Sequence, residues 1–156
     1  MPEPVDSFYQ IVGFHFKVTF QGLPGAQDFD LRFQAVSGLD TQLETESLKE
    51  GGENRFTHTL PGRVSYGSLQ LKRGLLTPNQ SGLTKWLRDA FQHLKIKPLA
   101  TVTVDLLDEN HKVLVQWNLA HVWPKSWKIA ELNAERSEVL IETLELNYNR
   151  FEYKIP

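Results

Sequence analysis

The side chains that most often do chemistry, the imidazoles, are spread singly along this chain. None of them forms an HxxxH or HExxH pattern or a close histidine–carboxylate pair of the kind that zinc and iron sites use. His15 falls on the polar face of a predicted strand and His111 in a predicted turn, which favours surface positions. The sequence therefore predicts no metal site and no cofactor, unless the fold assembles one from distant residues. The five histidines are His15, His58, His93, His111 and His121.

The sequence also gives no clear indication of a nucleophilic site or of an acid–base site. Residues 65–68, Ser-Tyr-Gly-Ser, are the nearest approach to a Gly-x-Ser-x-Gly elbow and are better interpreted as a strand bulge. Glu44 and Glu46 share one face of a predicted strand, where paired carboxylates could act as general acid and base, but a solvated face is the simpler interpretation. Residues 51–55 are glycine-rich but lack the Gly-Lys-Ser/Thr ending of a phosphate loop. The sequence favours a protein that is not an enzyme.

Length and composition narrow the class of protein further. The chain has 156 residues, about one domain at roughly 150 residues per domain, so residues 1–156 are expected to form a single domain, whose β-barrel character is predicted by the strand pattern below. Lys and Arg number 17 against 19 Asp and Glu, which gives 17 − 19 = −2 and no electrostatic footprint for nucleic acid. There is no cysteine, which excludes disulfides and thiolate sites. The N-terminus does not resemble a secretory signal peptide, and no apolar stretch approaches the ~20 residues of a membrane span.

Alternating apolar and polar residues predict antiparallel strands in the first half of the chain. The alternation runs through residues 14–20 and returns in residues 31–35 after a Gly/Pro turn. These two strands are expected to pair as neighbours. Residues 39–46 continue as a third extended piece, and residues 64–73 as a fourth. The phase of the alternation changes at Gly67, which predicts a β-bulge.

The second half begins with the one clear helical pattern, at about residues 81–95. Its apolar residues recur at three- and four-residue intervals, and Asn79 or Ser81 can cap its start. A hairpin follows around a turn at 108–111, and a last strand ends near Tyr148. About seven strands and one flanking amphipathic helix predict a mainly β fold, an antiparallel β-barrel or sandwich.

Residues 47–63 fit neither a helical nor a strand period. Gly51-Gly52 and Pro61-Gly62 interrupt this stretch, yet Phe56 and Leu60 give it apolar anchors. Loops longer than about 12–15 residues are uncommon inside compact domains and are usually functional or disordered. The segment is therefore predicted to be an extended hairpin or arm that packs on something outside its own domain.

A family resemblance rests on a series of motifs in a fixed order. Residues 50–55 (EGGENR), 60–62 (LPG) and 71–74 (LKRG) carry it, together with the VSGL, LLDE and PKSW stretches. In this combination the chain, over about residues 13 to 151, resembles the tail tube protein family, the inner tube proteins of contractile phage tails and of phage-tail-like contractile injection systems, including toxin-delivery particles.

The resemblance implies a structural protein that forms hexameric rings, stacked into a rigid conduit and driven through a target envelope when the sheath contracts. The implied partners are further copies of the chain, the sheath protein outside, baseplate or hub and terminator proteins at the ends, and cargo, tape-measure protein or phage DNA in the lumen. No membrane anchor is implied. Assembly would take place in the bacterial cytoplasm, before release in a virion tail or extracellular particle.

The site residues follow from the arm and from polar strand faces. Lys72 and Arg73 are expected to pair with Glu50 or Glu53 of a neighbouring copy. The expected contacts between subunits or rings are Leu48, Glu50, Gly51, Gly52, Glu53, Asn54, Arg55, Phe56, Leu60, Pro61, Gly62, Lys72 and Arg73, and the candidate lumen-facing residues are Arg32, Gln34, Glu44 and Glu46.

Two alternatives stay open at this point. Tube-initiator paralogues at the baseplate carry nearly the same motifs, so the sequence does not choose between bulk tube and initiator, or between phage and injection particle. In a different class, the aromatic strands could enclose a small molecule in a monomeric ligand-binding β-barrel, which predicts a persistent apolar cavity.

Overall fold

The computed structural model describes residues 15–26, 32–48, 51–52, 58–76 and 81–155. In those ranges the chain forms nine strands and one helix, α1, at Gly82–Gln92. The mainly β architecture with one helix is confirmed. The strands are β1 (Phe16–Gln21), β2 (Ala35–Ser37), β3 (Thr41–Leu48), β4 (His58–Tyr66), β5 (Leu69–Gly74), β6 (Leu99–Leu107), β7 (Val113–Ile129), β8 (Ile141–Asn147) and β9 (Arg150–Lys154).

Seven of these strands form one antiparallel sheet. Its path is β1-β6-β7-β8-β5-β2, and β9 pairs with β7, while β3 and β4 form a separate two-stranded hairpin. The 17-residue β7 joins the two halves of the sheet, because its first half pairs with β6 and β9 and its second half pairs with β8. A bulge around Lys125 accommodates Pro124 within this long strand.

The last two strands lie along the same edge of β7. Trp123 is opposite Asn147 at the end of β8, and Ala120 is opposite Arg150 at the start of β9. Two residues lie between the two pairs on each strand, so β8 and β9 act as one long strand interrupted near Tyr148. The sequence predicted the part up to Tyr148 and missed β9.

The sheet curls around a single apolar core. The rings of Phe20, in β1, and Phe33, just before β2, have centroids 6.0 Å apart although β1 and β2 are the two ends of the strand path. The curl therefore brings the ends of the sheet together around the side chains that face inward. These are Val18, Phe20, Leu23, Leu69, Leu71, Leu83, Trp86, Leu87, Leu99, Val102, Val104, Leu119, Val122, Leu144 and Leu146.

Helix α1 closes the core with its apolar face. Ser81 is the N-cap, and its Oγ accepts a hydrogen bond from the Thr84 main-chain N–H at 3.1 Å. Trp86 packs in the core, and its Nε1–H donates to the main-chain oxygen of Lys97 at 2.8 Å. The helix ends at Gln92, three residues before the predicted end. No helix among the described residues is long and apolar enough to cross a membrane.

Two sequence-based expectations about the strands were wrong. β1 pairs with β6 and β2 with β5, so the first two strands are not neighbours. Gly67 is not a bulge within one strand, because β4 ends at Tyr66 and pairs with β3, whereas β5 begins at Leu69 and belongs to the main sheet. The phase change marks the point at which the chain passes from the hairpin into the sheet.

Candidate assembly interface

The hairpin of β3 and β4, called the arm below, stands away from the main sheet. Every residue of β3 is exposed, and β3 and β4 pair only with each other. Leu43 is opposite Val64 on one face. Leu48 and Leu60 are diagonal neighbours on the other face, since Leu60 is opposite Glu46. All four apolar side chains are about half exposed. The arm therefore presents an apolar pair on each of its two faces.

The base of the arm is fixed to the sheet. The Gly67 N–H donates to the Asp40 main-chain oxygen at 3.0 Å where the two arm strands leave the sheet. Tyr66 packs against Phe151 and Tyr148, with ring centroids 5.0 and 5.9 Å apart. Burial, with help from the nearby charge of Asp40, raises the pKa of Tyr148 to about 12. These contacts determine the direction in which the arm projects.

Three strand edges of the main sheet are open among the described strands, those of β1, β2 and β9, and β1 and β9 are the two ends of the four strands β1-β6-β7-β9. Among the described strands, none pairs with the outer edge of β1 or of β9. The Leu107 N–H donates to the main-chain oxygen of His15 at 2.8 Å. Alternate residues of an antiparallel strand bond to opposite neighbours, so this one bond and the registers show which residues of β1, β6, β7 and β9 bond to which side. By this alternation the main-chain groups of Phe16, Val18 and Phe20 face outward on one edge, and those of Phe151 and Tyr153 on the other.

The face of β1, β6, β7 and β9 that lies opposite the core is polar. The register sets side chains in rows across the four strands, one of them running Lys17, Asp105, Gln116, Lys154. The Gln116 Nε2–H donates to Asp105 Oδ1 at 2.8 Å, and Asn118 Nδ2–H to Gln116 Oε1 at 3.2 Å. Because both signs of charge occur and the amides bond within the face, this surface is hydrophilic and ordered.

Arg73 occupies a place that the sequence analysis did not predict. It is 2% exposed, forms an ion pair with the fully buried Glu142 opposite it on β8, and donates to Ser81 Oγ and Thr84 Oγ1 at 2.9 and 3.2 Å. The other Glu142 oxygen accepts from Trp127 Nε1–H at 3.0 Å. The expectation that Arg73 pairs with a neighbouring copy is corrected: its charge is used inside the domain, where it attaches the start of α1 to the sheet.

The remaining predicted site residues are distributed over three regions. Leu48, Leu60, Pro61 and Gly62 lie on the arm, as do the proposed lumen residues Glu44 and Glu46. Arg32, Gln34 and Lys72 are exposed beside β2 and β5, at the far end of the strand path from β1. Gly51 and Gly52 lie in an exposed turn. Glu50, Glu53, Asn54, Arg55 and Phe56 lie outside the described residues.

The interior of the curled sheet is filled by side chains rather than shaped as a ligand cavity. Leu69, Leu71, Leu119, Leu144 and Leu146 are each fully buried there. One depression, of about 550 Å³, lies at the surface between β7 and β8 and is lined by residues within 130–141, most of them exposed. This packing disfavours the ligand-binding barrel.

The family comparison identifies the chain's relatives. A model of the family described as T4-like virus tail tube protein gp19 matches residues 12–152. A comparison with curated proteins found no match.

The solved structures give the same result. A chain of the anti-feeding prophage (AFP) baseplate, 6-fold symmetrised, is 32% identical with a TM-score of 0.80, over 94% of this chain and 96% of that chain. A chain of the sheath-tube complex of an extracellular contractile injection system, PVC, in the extended state is 21% identical with a TM-score of 0.78, over 96% and 95%. A chain of the AFP tube terminating cap is 22% identical with a TM-score of 0.78, over 99% and 97%.

Proposed function

Because the chain belongs to the T4-like virus tail tube protein family, and is a structural subunit of a phage tail or extracellular injection particle, we propose that six copies close into a ring. These rings stack head to tail into the hollow inner tube. The single observation that carries the proposal is the pair of open edges on β1 and β9.

The two edges are complementary in direction. From β1 to β9 the four strands alternate strictly, so β9 of one copy is antiparallel to β1 of the next when the sheet continues into the neighbour. Ring closure removes both edges, which would otherwise template uncontrolled pairing. A contact between two different edges is heterologous. A set of copies joined in this way is left without free edges only when it closes into a ring with cyclic symmetry. The six-fold symmetry of the AFP baseplate supports the number of copies.

The polar face of the four strands lines the bore in this arrangement. It lies opposite the core, and Lys17 and Lys154 at its two sides are exposed, although Asp105 between them is buried beneath the amides. The residues that the sequence suggested for the lumen are less well placed to line this bore. Arg32 and Gln34 lie beside β2, and Glu44 and Glu46 lie on the arm.

The arm makes the contact between rings. Leu43 with Val64 on one face and Leu48 with Leu60 on the other would leave apolar surface in water unless both faces were covered. Insertion between two surfaces of an adjacent ring covers both. The sheath then surrounds the tube, baseplate and terminator proteins hold its ends, cargo or tape-measure protein or DNA occupies the bore, and assembly takes place in the bacterial cytoplasm.

Replacement of Tyr153 by proline tests ring closure. The Tyr153 main-chain N–H faces the open edge, so proline removes one intermolecular donor without removing a bond to β7. Tyr153→Pro is expected to remain folded and to give no rings in negative-stain electron microscopy at high concentration, with sheath and baseplate preparations added. Tyr153→Ala, the matched control, is expected to form rings. Rings from a folded Tyr153→Pro variant would rule out this edge.

Deletion of residues 50–55 tests the arm separately. Rings are expected to form and tubes to be lost. The double substitution Leu48→Ser with Leu60→Ser is expected to do the same. Leu94→Ser, at an equally apolar exposed site outside the arm, is the control and leaves tubes intact. Long tubes from the deletion variant would contradict the role of the arm.

Labelling tests the lining of the bore, and the absence of native cysteine makes it clean. In assembled tubes Lys17→Cys, on the polar face, is expected to react with a small maleimide and to resist one attached to a large polymer. Lys85→Cys, exposed on α1, is expected to react with both. Equal reaction of both variants with the large reagent would place the polar face outside.

A second candidate, the tube initiator at the baseplate, is favoured by one observation. The matched chain from the baseplate structure is 32% identical, against 21% for the one from the sheath-tube complex. Quantitative mass spectrometry of intact particles separates the two, because an initiator occurs in the copy number of a single ring and a bulk subunit in numbers similar to those of the sheath.

A further inference from the structure

An apolar groove lies at the end of the sheet that is farthest from the arm. β2, β5, β8 and the second half of β7 run side by side between the base of the arm and this end. Leu69 is opposite Leu146 near the arm, and Gly74 is opposite Ile141 near the groove. The six residues of β5 span about 17 Å between the two. The arm and the groove are therefore at opposite ends of the same four strands.

The groove, called the Val139 groove below, has a volume of about 400 Å³. The depression lined by residues within 130–141 lies beside it and shares Val139 with it. Val139 is 72% exposed and Leu75 39%. Apolar surface left in water in this way marks a contact with another protein. The groove is lined by the apolar Phe33, Leu75, Leu76 and Val139 and by the exposed Arg32, together with residues of the β5 end.

Interactions within the domain hold the Val139 groove in shape. The guanidinium carbon of Arg73 is 5.5 Å from the ring centroid of Phe33, and Arg73 is itself held by its ion pair with Glu142. On the other side, the Leu75 N–H donates to the main-chain oxygen of Leu140 at 2.8 Å. A groove that is already formed costs less conformational entropy to fill than one that must be ordered on binding.

One face of the arm matches this groove in both hydropathy and charge. Leu48 and Leu60 are diagonal neighbours on that face, and Glu46, opposite Leu60, lies on it too. All three side chains are exposed. The arm therefore offers two leucines and a carboxylate, and the groove offers apolar side chains and the guanidinium of Arg32. Arginine and carboxylate groups form strong, charge-assisted hydrogen bonds.

We propose that the Val139 groove is the receptor for the arm of a second copy of this chain in the adjacent ring. Leu48 and Leu60 fill the groove, and Glu46 pairs with Arg32 at its side. This contact rests on the head-to-tail stacking proposed above, because a head-to-tail contact joins opposite ends of identical subunits. Every copy offers one arm and one groove, so the contact repeats from ring to ring along the tube.

Disulfide trapping tests the contact, and the chain has no cysteine of its own. Tubes of a variant with Leu60→Cys and Val139→Cys are assembled with reductant, checked by electron microscopy and then oxidised. Each copy is expected to be joined to one copy above and one below, so a denaturing gel without reductant shows a ladder of multimers. Leu60→Cys with Leu94→Cys is the matched control, because Leu94 is 83% exposed and does not line the groove. It is expected to stay monomeric on the gel.

Exchange of the two charges is a second test that needs no cysteine. Glu46→Arg and Arg32→Glu are each expected to leave rings intact and to abolish tubes, because like charges then meet in the contact. The two substitutions together are expected to restore tubes. Glu46→Arg with Lys85→Glu has the same net charge as that double variant, but Lys85 lies on α1, so this control is expected to give no tubes.

The outcomes distinguish the contact from the stacking itself. Tubes of the Leu60→Cys, Val139→Cys variant that give no ladder would overturn the contact and leave head-to-tail stacking in place. Absence of rescue by the charge exchange would do the same, and it decides alone if the cysteine variant forms no tubes. Failure of the unaltered chain to form rings or tubes, with sheath and baseplate preparations added, would overturn the stacking and the contact with it.

Discussion

The main-chain oxygen of Ser68 lies 1.9 Å from the position that a Cβ on Gly38 would occupy. Gly38 connects β2 to the arm, and Ser68 connects the arm back to β5. The two connections cross at the base of the arm, and only a residue without a side chain permits their approach. Gly38 also has φ 86°, which favours glycine.

Gly38→Ala is expected to destabilise the domain far more than Gly52→Ala, measured as the free energy of unfolding in urea. Gly52 has φ 90° but no atom within 4 Å of its would-be Cβ, so it reports the backbone strain alone, about 1–2 kcal/mol. Gly38→Ala adds a collision between the new Cβ and the main-chain oxygen of Ser68, which cannot move aside. The total loss in the free energy of unfolding is expected to exceed about 4 kcal/mol. Similar losses in the free energy of unfolding for the two variants would show that the connections at Gly38 and Ser68 can move apart to admit a side chain.

Removal of the buried carboxylate is the second prediction. Glu142→Ala removes the carboxylate that pairs with the buried Arg73, and breaking a buried pair costs about 3–5 kcal/mol in comparable cases. Glu145→Ala, on the same strand, breaks the half-exposed pair with Lys125 and is expected to cost about 0–1 kcal/mol. Thermal unfolding measures both. A small loss for Glu142→Ala would mean that the network does not hold α1 to the sheet.

The position of this ion pair illustrates what the sequence could and could not predict. Leu69 and Leu71 are core residues, and Arg73 has the same parity on the strand, so alternation alone places it inward. The charge of Arg73 suggested a surface position instead. The pairing with Glu142 depends on the register of β5 with β8, a non-local contact that no local pattern contains.

The difference between local patterns and non-local contacts also explains why the strand pairings were not predicted. Helix α1 and the hairpin at 108–111 were predictable because each is defined by local periodicity or turn chemistry. The arm was predicted on other grounds, since a segment of this length without a regular period is uncommon inside a compact domain. β1 and β2 were expected to pair because consecutive strands usually do. In the fold β6, from the other half of the chain, takes the place beside β1. The open edge of β9 was missed for the same reason.

Alkaline titration of Tyr148 is the third prediction. Its hydroxyl is buried and has no hydrogen-bond partner among the described residues, and burial raises its pKa to about 12. The unfolded chain releases this proton near pH 10. The folded state therefore binds the proton more tightly, and stability is expected to fall as pH rises from about 10 to 12.

Tyr148→Phe is expected to remove that part of the pH dependence. At pH 8 it should be neutral or stabilising, because it deletes a buried hydroxyl without removing a hydrogen bond. Urea midpoints measured between pH 8 and pH 12 check both statements. Tyr153→Phe, which removes the hydroxyl of a mostly exposed tyrosine, serves as the control. An identical profile for Tyr148→Phe and the unaltered chain would contradict the assignment.

A charge on the buried face of α1 is the fourth prediction. Leu87 is fully buried in the core, so Leu87→Asp places an unpaired carboxylate among apolar side chains and is expected to unfold the domain. Lys85→Asp, two residues earlier on the exposed side of the same helix, keeps the added carboxylate in water and is expected to change stability by less than about 0.5 kcal/mol. Circular dichroism during thermal unfolding distinguishes the two. A soluble Leu87→Asp variant that unfolds cooperatively would show that α1 does not close the core. The hydrogen bonds that attach α1 to the sheet through Arg73 would then not be needed to complete the core.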